Sequence, residues 1–444
     1  MTLRGRSALA LGSAARWASR VTGRGAGAMI GGLVAMTLDP SVLRQLGLGR
    51  RTAVVTGTNG KSTTTRMVAA ALRTMGSGEA PGRRHQTGHQ TGEAPGRRHQ
   101  TVATNAEGAN MDAGLVAALA ADRDARLAAL EVDEMHVPHV SDAVNPAVIV
   151  LLNLSRDQLD RVGEINHIER TLRTGLARHP DAVVVANCDD VLMTSAAYDC
   201  PNVVWVAAGG GWANDSVSCP RSGEVIVREG ADWHSTGTDF ARPAPQWWYD
   251  DEKLYGPDGF AAPMRLALPG AVNRGNAAQA VAAAVAMGAD PAAAVAAVSA
   301  VDEVAGRYRT VRIGSHSARL LLAKNPAGWQ EALSMVEKSA AGVVISVNGQ
   351  VPDGEDLSWL WDVRFEHFEG TSVVAAGERG TDLAVRLGYA GVAHTLVHDT
   401  VAAIASCPPG HVEVVANYTA FLQLQRALER AAGGQARSDS GNQR

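Results

Sequence analysis

One octapeptide constrains this chain more than any other feature: Thr56-Gly57-Thr58-Asn59-Gly60-Lys61-Ser62-Thr63, which leaves the β-branched run 52–56 and enters a stretch that reads as a helix over 61–74. Strand, glycine-rich turn and helix in that order make a cradle for phosphate. Glycines let the backbone approach the anion and the helix N-terminus offers unpaired N–H groups. Lys61 supplies positive charge, and the Ser62 or Thr63 hydroxyl is a ligand for Mg2+. The strict G-x-x-x-x-G-K-[ST] spacing fails, because Val55 stands where the first glycine belongs. A chance lysine after a glycine turn would not place both strand and helix correctly, so a nucleotide-phosphate site is expected here.

Further apolar runs stand at 127–132 (LAALEV), 147–154 (AVIVLLNL), 182–186 and 203–206, separated by helical stretches. Runs apolar almost throughout are the pattern of a parallel sheet covered on both faces. The stretch 208–262 breaks the rhythm with Gly, Ser, Asp and Trp, and the Ala-rich 273–298 reads as one long helix. A second series follows Arg307, at 320–322, 343–347, 372–376 and 412–415. The expected fold class is α/β. A basic helical segment 1–50 precedes a central P-loop domain 51–303, which has a mainly parallel sheet and an inserted subdomain at about 208–262. A Rossmann-like C-terminal α/β domain 304–432 and a polar tail 433–444 complete the chain.

With 41 Lys+Arg against 45 Asp+Glu the net charge is −4, which gives no reason to expect nucleic acid as a partner. Cys188, Cys200, Cys219 and Cys407 are too few and too scattered for a disulfide scaffold, so a cytoplasmic protein is expected. Residues 1–38 carry five arginines and no acid, yet no cleavage signature and no membrane-length apolar run. They read as a basic helical surface that would rest only weakly on anionic lipid head groups. GEAPGRRHQT stands at 78–87 and again at 92–101, which reads as an exposed loop whose His85 and His99 face solvent.

A magnesium nucleotide needs oxygen ligands. Glu131 ends the run 127–132 with Asp133 and Glu134 beside it, and ligands of open α/β sheets bind beyond the carboxyl ends of the strands. Glu107, in Asn105-Ala106-Glu107-Gly108-Ala109-Asn110, is a second candidate, and Asp133 reads equally well as a solvated acid. A glutaminase nucleophile would be an activated cysteine beside a histidine base. Cys200, Cys219 and Cys407 each precede a proline, and the acids of Asn187-Cys188-Asp189-Asp190 raise a thiol pKa. None of the four is therefore placed as an activated nucleophile.

These residues together resemble the Mur ligase family of ATP-dependent amide-bond-forming enzymes, and more closely its MurT branch. The resemblance runs through TGTNGKSTTT (56–65), NAEGANMDAG (105–114), EVDE (131–134), NLSRDQLDRVGEI (153–165), PGAVNRGNAAQA (269–280), GRYRTV (306–311), LAKNPAGW (322–329) and DGEDLSWLWDVRFE (353–366). It implies that Gly57, Thr58, Asn59, Gly60, Lys61, Ser62 and Thr63 bind the ATP phosphates, with Ser62, Glu107 and Glu131 near Mg2+ and Asn273 near the adenine. Arg307 would face the γ-phosphate, where a guanidinium stabilises developing charge. Asp356, in the pattern DGxDxSW, would reach the active site of a partner glutaminase and orient its histidine. Taken alone, Asp356 reads as a turn acid capping the backbone before Trp359. The implied activity is amidation of the D-glutamate α-carboxylate of the lipid II stem peptide through an acyl phosphate. It would run at the inner face of the membrane, in a heterodimer with a GatD-like glutaminase.

Two departures carry weight. Peptide-forming Mur ligases have a metal-contacting histidine where this chain has Gln158, and the stretch 165–178 contains no lysine to match their modified one. Both argue against a ligase that adds an amino acid, whether a peptide or a folylpolyglutamate ligase. The other alternative is a non-catalytic nucleotide-binding scaffold for a glutaminase. Many MurT proteins also carry two cysteine pairs that bind zinc, but here the pairs read Cys219-Pro220-Arg221-Ser222-Gly223 and His234-Ser235-Thr236-Gly237-Thr238. That falls short of four ligands, so no zinc is expected, and Trp233, Trp247 and Trp248 are expected to pack the subdomain instead.

Overall fold

The apolar runs become the strands of one parallel sheet, deeply buried at 127–131 and 148–151 and half-buried at 203–206. In chain order the first part of the molecule comprises α1 (Leu3–Val21), α2 (Ala28–Leu38), α3 (Val42–Gly47), β1 (Arg51–Thr56), α4 (Lys61–Arg73), β2 (Val102–Thr104), α5 (Asp112–Ala121), β3 (Leu127–Glu131), α6 (Val137–Val144), β4 (Val148–Leu151), α7 (Glu164–Leu176), β5 (Val183–Asn187), α8 (Val191–Ala197) and β6 (Val203–Val206). The computed structural model describes residues 1–21, 28–76, 100–105, 108–156, 164–210, 213–302, 308–337, 339–354, 356–368 and 373–441. The duplicated loop therefore falls largely outside the described residues, as do Glu107, Gln158 and Arg307.

The strand order is β2-β3-β1-β4-β5-β6, and every neighbouring pair is parallel. β3 and β4 are buried along their whole length, as strands covered by helices on both sides must be. The chain fills the β2–β3 side of β1 first and then crosses to β4 on the other side. Such a reversal opens a crevice beyond the carboxyl end of β1, which is where the glycine-rich loop begins.

After β6 come β7 (Ile226–Glu229) and β8 (Asp232–Ser235), an antiparallel pair, then β9 (Trp248–Tyr249), β10 (Lys253–Tyr255) and β11 (Ala261–Pro263), a small antiparallel sheet. Trp233 and Trp247 are buried there as expected, whereas Trp248 is exposed and only stacks on Tyr255. The expected single helix over 273–298 is two, α9 (Ala271–Ala286) and α10 (Pro291–Ser299). Gly288 takes a positive φ of 87°, the Asp290 side chain caps Ala293 N–H, and Pro291 opens the new helix.

Contacts group the chain into two compact units, Met1–Leu154 with Gly163–Asp302, and chiefly Glu303–Arg444. The second unit holds β12 (Tyr308–Ile313), β13 (His316–Leu322), α11 (Pro326–Ser334), β14 (Gly342–Ser346), β15 (Val373–Ala376), α12 (Gly380–Tyr389), β16 (His394–Leu396), α13 (Thr400–Ser406), β17 (Gly410–Ala416) and α14 (Tyr418–Gly441). Its sheet runs β12-β13-β17-β14-β15-β16 and is parallel except for the β12–β13 hairpin. Backbone helix extends through most of the expected polar tail, since α14 ends at Gly441.

The N-terminal segment is helical and packs through small residues. A Cβ on Gly12 would lie 2.4 Å from the Gly31 carbonyl oxygen, and one on Gly32 would lie 1.9 Å from that of Ala113. Glycines that interrupt the apolar run 28–38 thus let α2 lie directly on α1 and α5. Among the described residues no helix is long and apolar enough to cross a membrane.

Candidate functional site

Both glycines of the loop are required by close approach. Gly57 has φ 141° and Gly60 φ 83°. A Cβ on Gly57 would meet Leu152 Cβ at 2.8 Å, and one on Gly60 would meet Asn276 Oδ1 at 2.6 Å. The loop is therefore held between the segment after β4 and the second turn of α9. Asn153 grips it from the β4 side: its Oδ1 accepts Asn59 N–H (2.9 Å), its Nδ2 donates to the Asn59 carbonyl (3.1 Å), and its own carbonyl accepts Thr58 N–H (2.8 Å). The end of β4 is fixed in turn by Gln279 Nε2, which donates to the Leu151 carbonyl at 2.8 Å. The Asp190 carboxyl accepts Leu154 N–H (3.0 Å) and caps α8 through Met193 N–H (2.8 Å), and complete burial pushes its pKa up to about 6.

Gly60 gives α4 no side-chain cap, so the first N–H groups of that helix are left for an anion. Lys61 Nζ lies 3.3 Å from both carboxylate oxygens of Glu134 and 3.4 Å from the Thr58 carbonyl oxygen, and both charged side chains are about nine-tenths buried. Ser62 is half-buried and Thr63 buried. Glu131 ends β3 beside Val55 and is buried. Its backbone is clamped by Asn105, whose Oδ1 accepts Glu131 N–H and whose Nδ2 donates to the Glu131 carbonyl, both at 2.8 Å. Asp133, by contrast, caps the 3-10 turn 134–136 by accepting Met135 N–H at 3.1 Å.

A cradle that any Cβ would fill, an uncapped helix and a lysine suit a nucleotide phosphate, and the hydroxyl and carboxylate oxygens of Ser62 and Glu131 are hard donors of the kind Mg2+ takes. Asn273 lies buried at the start of α9; its Nδ2 donates to the Pro269 carbonyl at 2.6 Å and its Oδ1 accepts from Asn276 Nδ2 at 3.4 Å. It thus reaches Gly60 through Asn276. Sequence reasoning passed over Asn153, Asn105, Asn276 and the pairing of Glu134 with Lys61. Only the EVDE motif carried a hint, since Glu134 stands three residues after Glu131.

In the second unit Asp356 is exposed, and its carboxylate accepts Ser358 N–H at 2.7 Å, which lowers its pKa. This is the turn-capping geometry expected of the residue taken alone, with the carboxylate still open to solvent. The turn is anchored by Trp359, stacked on the buried Trp329 at 5.4 Å between centroids. Nearby, Trp361 and Tyr389 touch edge to face, and both are exposed.

In the insertion, Cys219, Ile226, Trp233 and Phe240 share a small core with Val191. Burial acts to raise the Cys219 pKa, but hydrogen bonds from the Ser222 and Ser235 side chains and from the N–H groups of Arg221 and Ser222 lower it overall. The Ser222 and Ser235 hydroxyls thus lie beside the sulfur. Burial first, and Asp189 second, push Cys188 up to about 12, and Cys200 reaches about 11. These two thiols are inert at neutral pH.

The Mur ligase middle domain matches residues 55–284, and the MurT ligase C-terminal domain matches 322–421. Lipid II isoglutaminyl synthase (glutamine-hydrolyzing) subunit MurT of Streptococcus pneumoniae is 27% identical over 91% of this chain and 93% of that protein. The protein of the same name from Staphylococcus aureus is 26% identical over 97% of this chain and 99% of its own length. Among solved structures, a pseudomurein peptide ligase type C from Methanothermus fervidus superposes with a TM-score of 0.64 at 16% identity, covering 88% of this chain and 81% of that one. MurF from Acinetobacter baumannii gives 0.61 at 16% identity, covering 87% and 78%. With a middle-domain match across half its length, lying on the P-loop sheet, the chain belongs to the Mur ligase family and carries that family's MurT-type C-terminal domain.

Proposed function

We propose that this chain is the synthetase subunit of an enzyme that amidates the D-glutamate α-carboxylate of the lipid II stem peptide to D-isoglutamine, with ammonia from a separate GatD-like glutaminase. The observation that carries this reading is the joint presence of two features: the phosphate cradle at Lys61, and an exposed Asp356 turn inside the stretch matched by the MurT-type domain. The names of the relatives from S. pneumoniae and S. aureus support it.

In this mechanism Gly57 to Thr63 hold the ATP phosphates, and Lys61 exchanges Glu134 for phosphate oxygens. By the resemblance alone, Asn273 would lie near the adenine and Arg307 would serve the γ-phosphate. Ser62, Glu107 and Glu131 would hold Mg2+, which when bound neutralises phosphate charge. The substrate carboxylate attacks the γ-phosphorus and ADP leaves. Ammonia then attacks the acyl phosphate carbon and expels phosphate, a leaving group that a bare carboxylate lacks. Asp356 orients the glutaminase histidine as the third member of its nucleophile-base set. Exposed Trp361 and Tyr389 supply aromatic anchors for that partner. The insertion needs no zinc for this chemistry.

Such a lipid-linked substrate would hold the chain at the cytoplasmic face of the membrane. A pocket of about 500 Å³ includes Arg16, Arg66 and Arg73 in its lining and no carboxylate among the described residues, which suits a diphosphate. Exposed Leu3, Leu11, Trp17, Met29, Ile30 and Leu33 on α1 and α2 suit the bilayer surface. The test is glutamine-dependent amidation of lipid II by the chain co-purified with its glutaminase, read by mass spectrometry. Lys61→Ala is expected to abolish amidation while assembly survives. Absence of amidation by the unsubstituted complex, with ATP binding intact, would sink the assignment, and a product enlarged by an amino acid would establish the adding-ligase reading instead.

A further inference from the structure

Where the start of α5 meets the turn that follows Glu131, outside the nucleotide cradle, three metal-capable side chains converge. Asp112 Oδ1 lies 3.1 Å from His136 Nδ1 and 2.8 Å from His139 Nε2, and Asp112 Oδ2 lies 2.9 Å from the same His139 nitrogen. The donor atoms all fall within 4.8 Å of one another. We propose that Asp112, His136 and His139 form a binding site for a borderline divalent transition metal of the zinc class.

The donor chemistry selects the metal. Two imidazole nitrogens and one carboxylate suit Zn2+, Co2+ or Ni2+ and not Mg2+, which prefers oxygen throughout. With metal–ligand bonds of about 2.0–2.1 Å at tetrahedral angles, neighbouring donors stand about 3.3 Å apart. The observed 2.8 and 3.1 Å separations need to open by only a few tenths of an ångström. Exposure is graded as an open site requires: side chains of Asp112 and His136 are 23% and 26% exposed and that of His139 is 51%, which leaves a face for water as the remaining ligand.

Charge separates this cluster from the other one in the molecule. Glu337, His411 and Glu413 also converge, but Arg319 already neutralises both carboxylates there, at 3.1 and 2.5 Å. Asp112 has no Lys or Arg partner among the described residues; only the two imidazoles face it. A cation between them would complete what the fold has assembled. It would also staple two segments that meet at Asp133 N–H and the Asn110 carbonyl (3.1 Å): the approach to α5, and the turn that carries Glu134. The site stands whether or not the chain is a ligase.

The test is titration of the full, metal-free chain with Co2+ alone, followed by visible absorption, with Zn2+ as competitor. The expected result is one equivalent bound with d–d bands of a nitrogen and oxygen site, no thiolate charge-transfer band, and displacement by Zn2+. His139→Ala, at a half-exposed position, is expected to weaken binding by roughly a hundredfold or more, since losing even an outer partner of a ligand costs about 10–100-fold. Asp112→Asn keeps the shape of the site and is expected to weaken it as well. An absence of d–d bands at stoichiometric Co2+ overturns the proposal. So does a spectrum unchanged by either substitution, or one with a thiolate band that vanishes in Cys219→Ser.

Discussion

Asn153 supports the phosphate loop without facing the ligand, and removing its side chain tests whether the loop is held in the way the geometry implies. Asn153→Ala deletes two hydrogen bonds, of 2.9 and 3.1 Å, to the backbone of the buried Asn59 and keeps the one made by its own carbonyl. Each lost bond is worth about 0.5–1.5 kcal/mol net, and more where the partner group stays buried. The expected destabilisation is about 2–3 kcal/mol, or roughly 5–10 °C at about 2–4 °C per kcal/mol in a unit of this size. The reading is taken on the thermal transition that responds to Mg-ATP, because a chain of two units does not unfold as one. Calorimetric titration with Mg-ATP is expected to show at least a roughly tenfold weaker Kd, since about 1.4 kcal/mol of lost loop positioning suffices for that. Asn153→Asp keeps the acceptor for Asn59 N–H but sets a carboxylate oxygen against the Asn59 carbonyl and adds negative charge beside the phosphate loop, so it should weaken Mg-ATP at least as much as Asn153→Ala. A melting temperature and Kd unchanged in Asn153→Ala would refute the assignment of loop order to this residue.

Three further outcomes are expected. Asp356→Asn can still accept Ser358 N–H, so glutaminase binding and ammonia-driven amidation should survive while glutamine-driven amidation is lost; failure of free ammonia to rescue would move the defect to the synthetase step. Trp17→Glu with Leu33→Glu, at exposed positions of α1 and α2, should reduce co-sedimentation with anionic vesicles at least roughly tenfold and leave ATP binding unchanged. Burial lets the folded chain hold the Asp190 proton up to about pH 6, whereas the unfolded chain releases it near the ordinary carboxyl value of 3.8. Its contribution to stability is therefore complete below about pH 4 and is lost as pH rises through 6, and Asp190→Asn should flatten that part of a melting-temperature profile against pH.

The sequence by itself determined what local pattern can determine. Apolar runs long enough to be buried on both faces fall on β1, β3, β4, β5 and β6, and the glycine-lysine turn falls between β1 and α4, because these signals lie within a few consecutive residues. The three-residue β2 is too short for such a signal, and the break between α9 and α10 was readable only from Gly288, Asp290 and Pro291 against a strong alanine pattern. Tertiary structure alone decided how the loop is held. Asn153 meets Asn59 across 94 positions of sequence, Glu134 meets Lys61 across 73, and Asn105 meets Glu131 across 26. An asparagine that pairs with a buried backbone looks, in sequence, like any polar loop residue. Its role exists only once parallel strands bring their carboxyl ends side by side, and that adjacency is a property of strand order, which no local run of residues encodes.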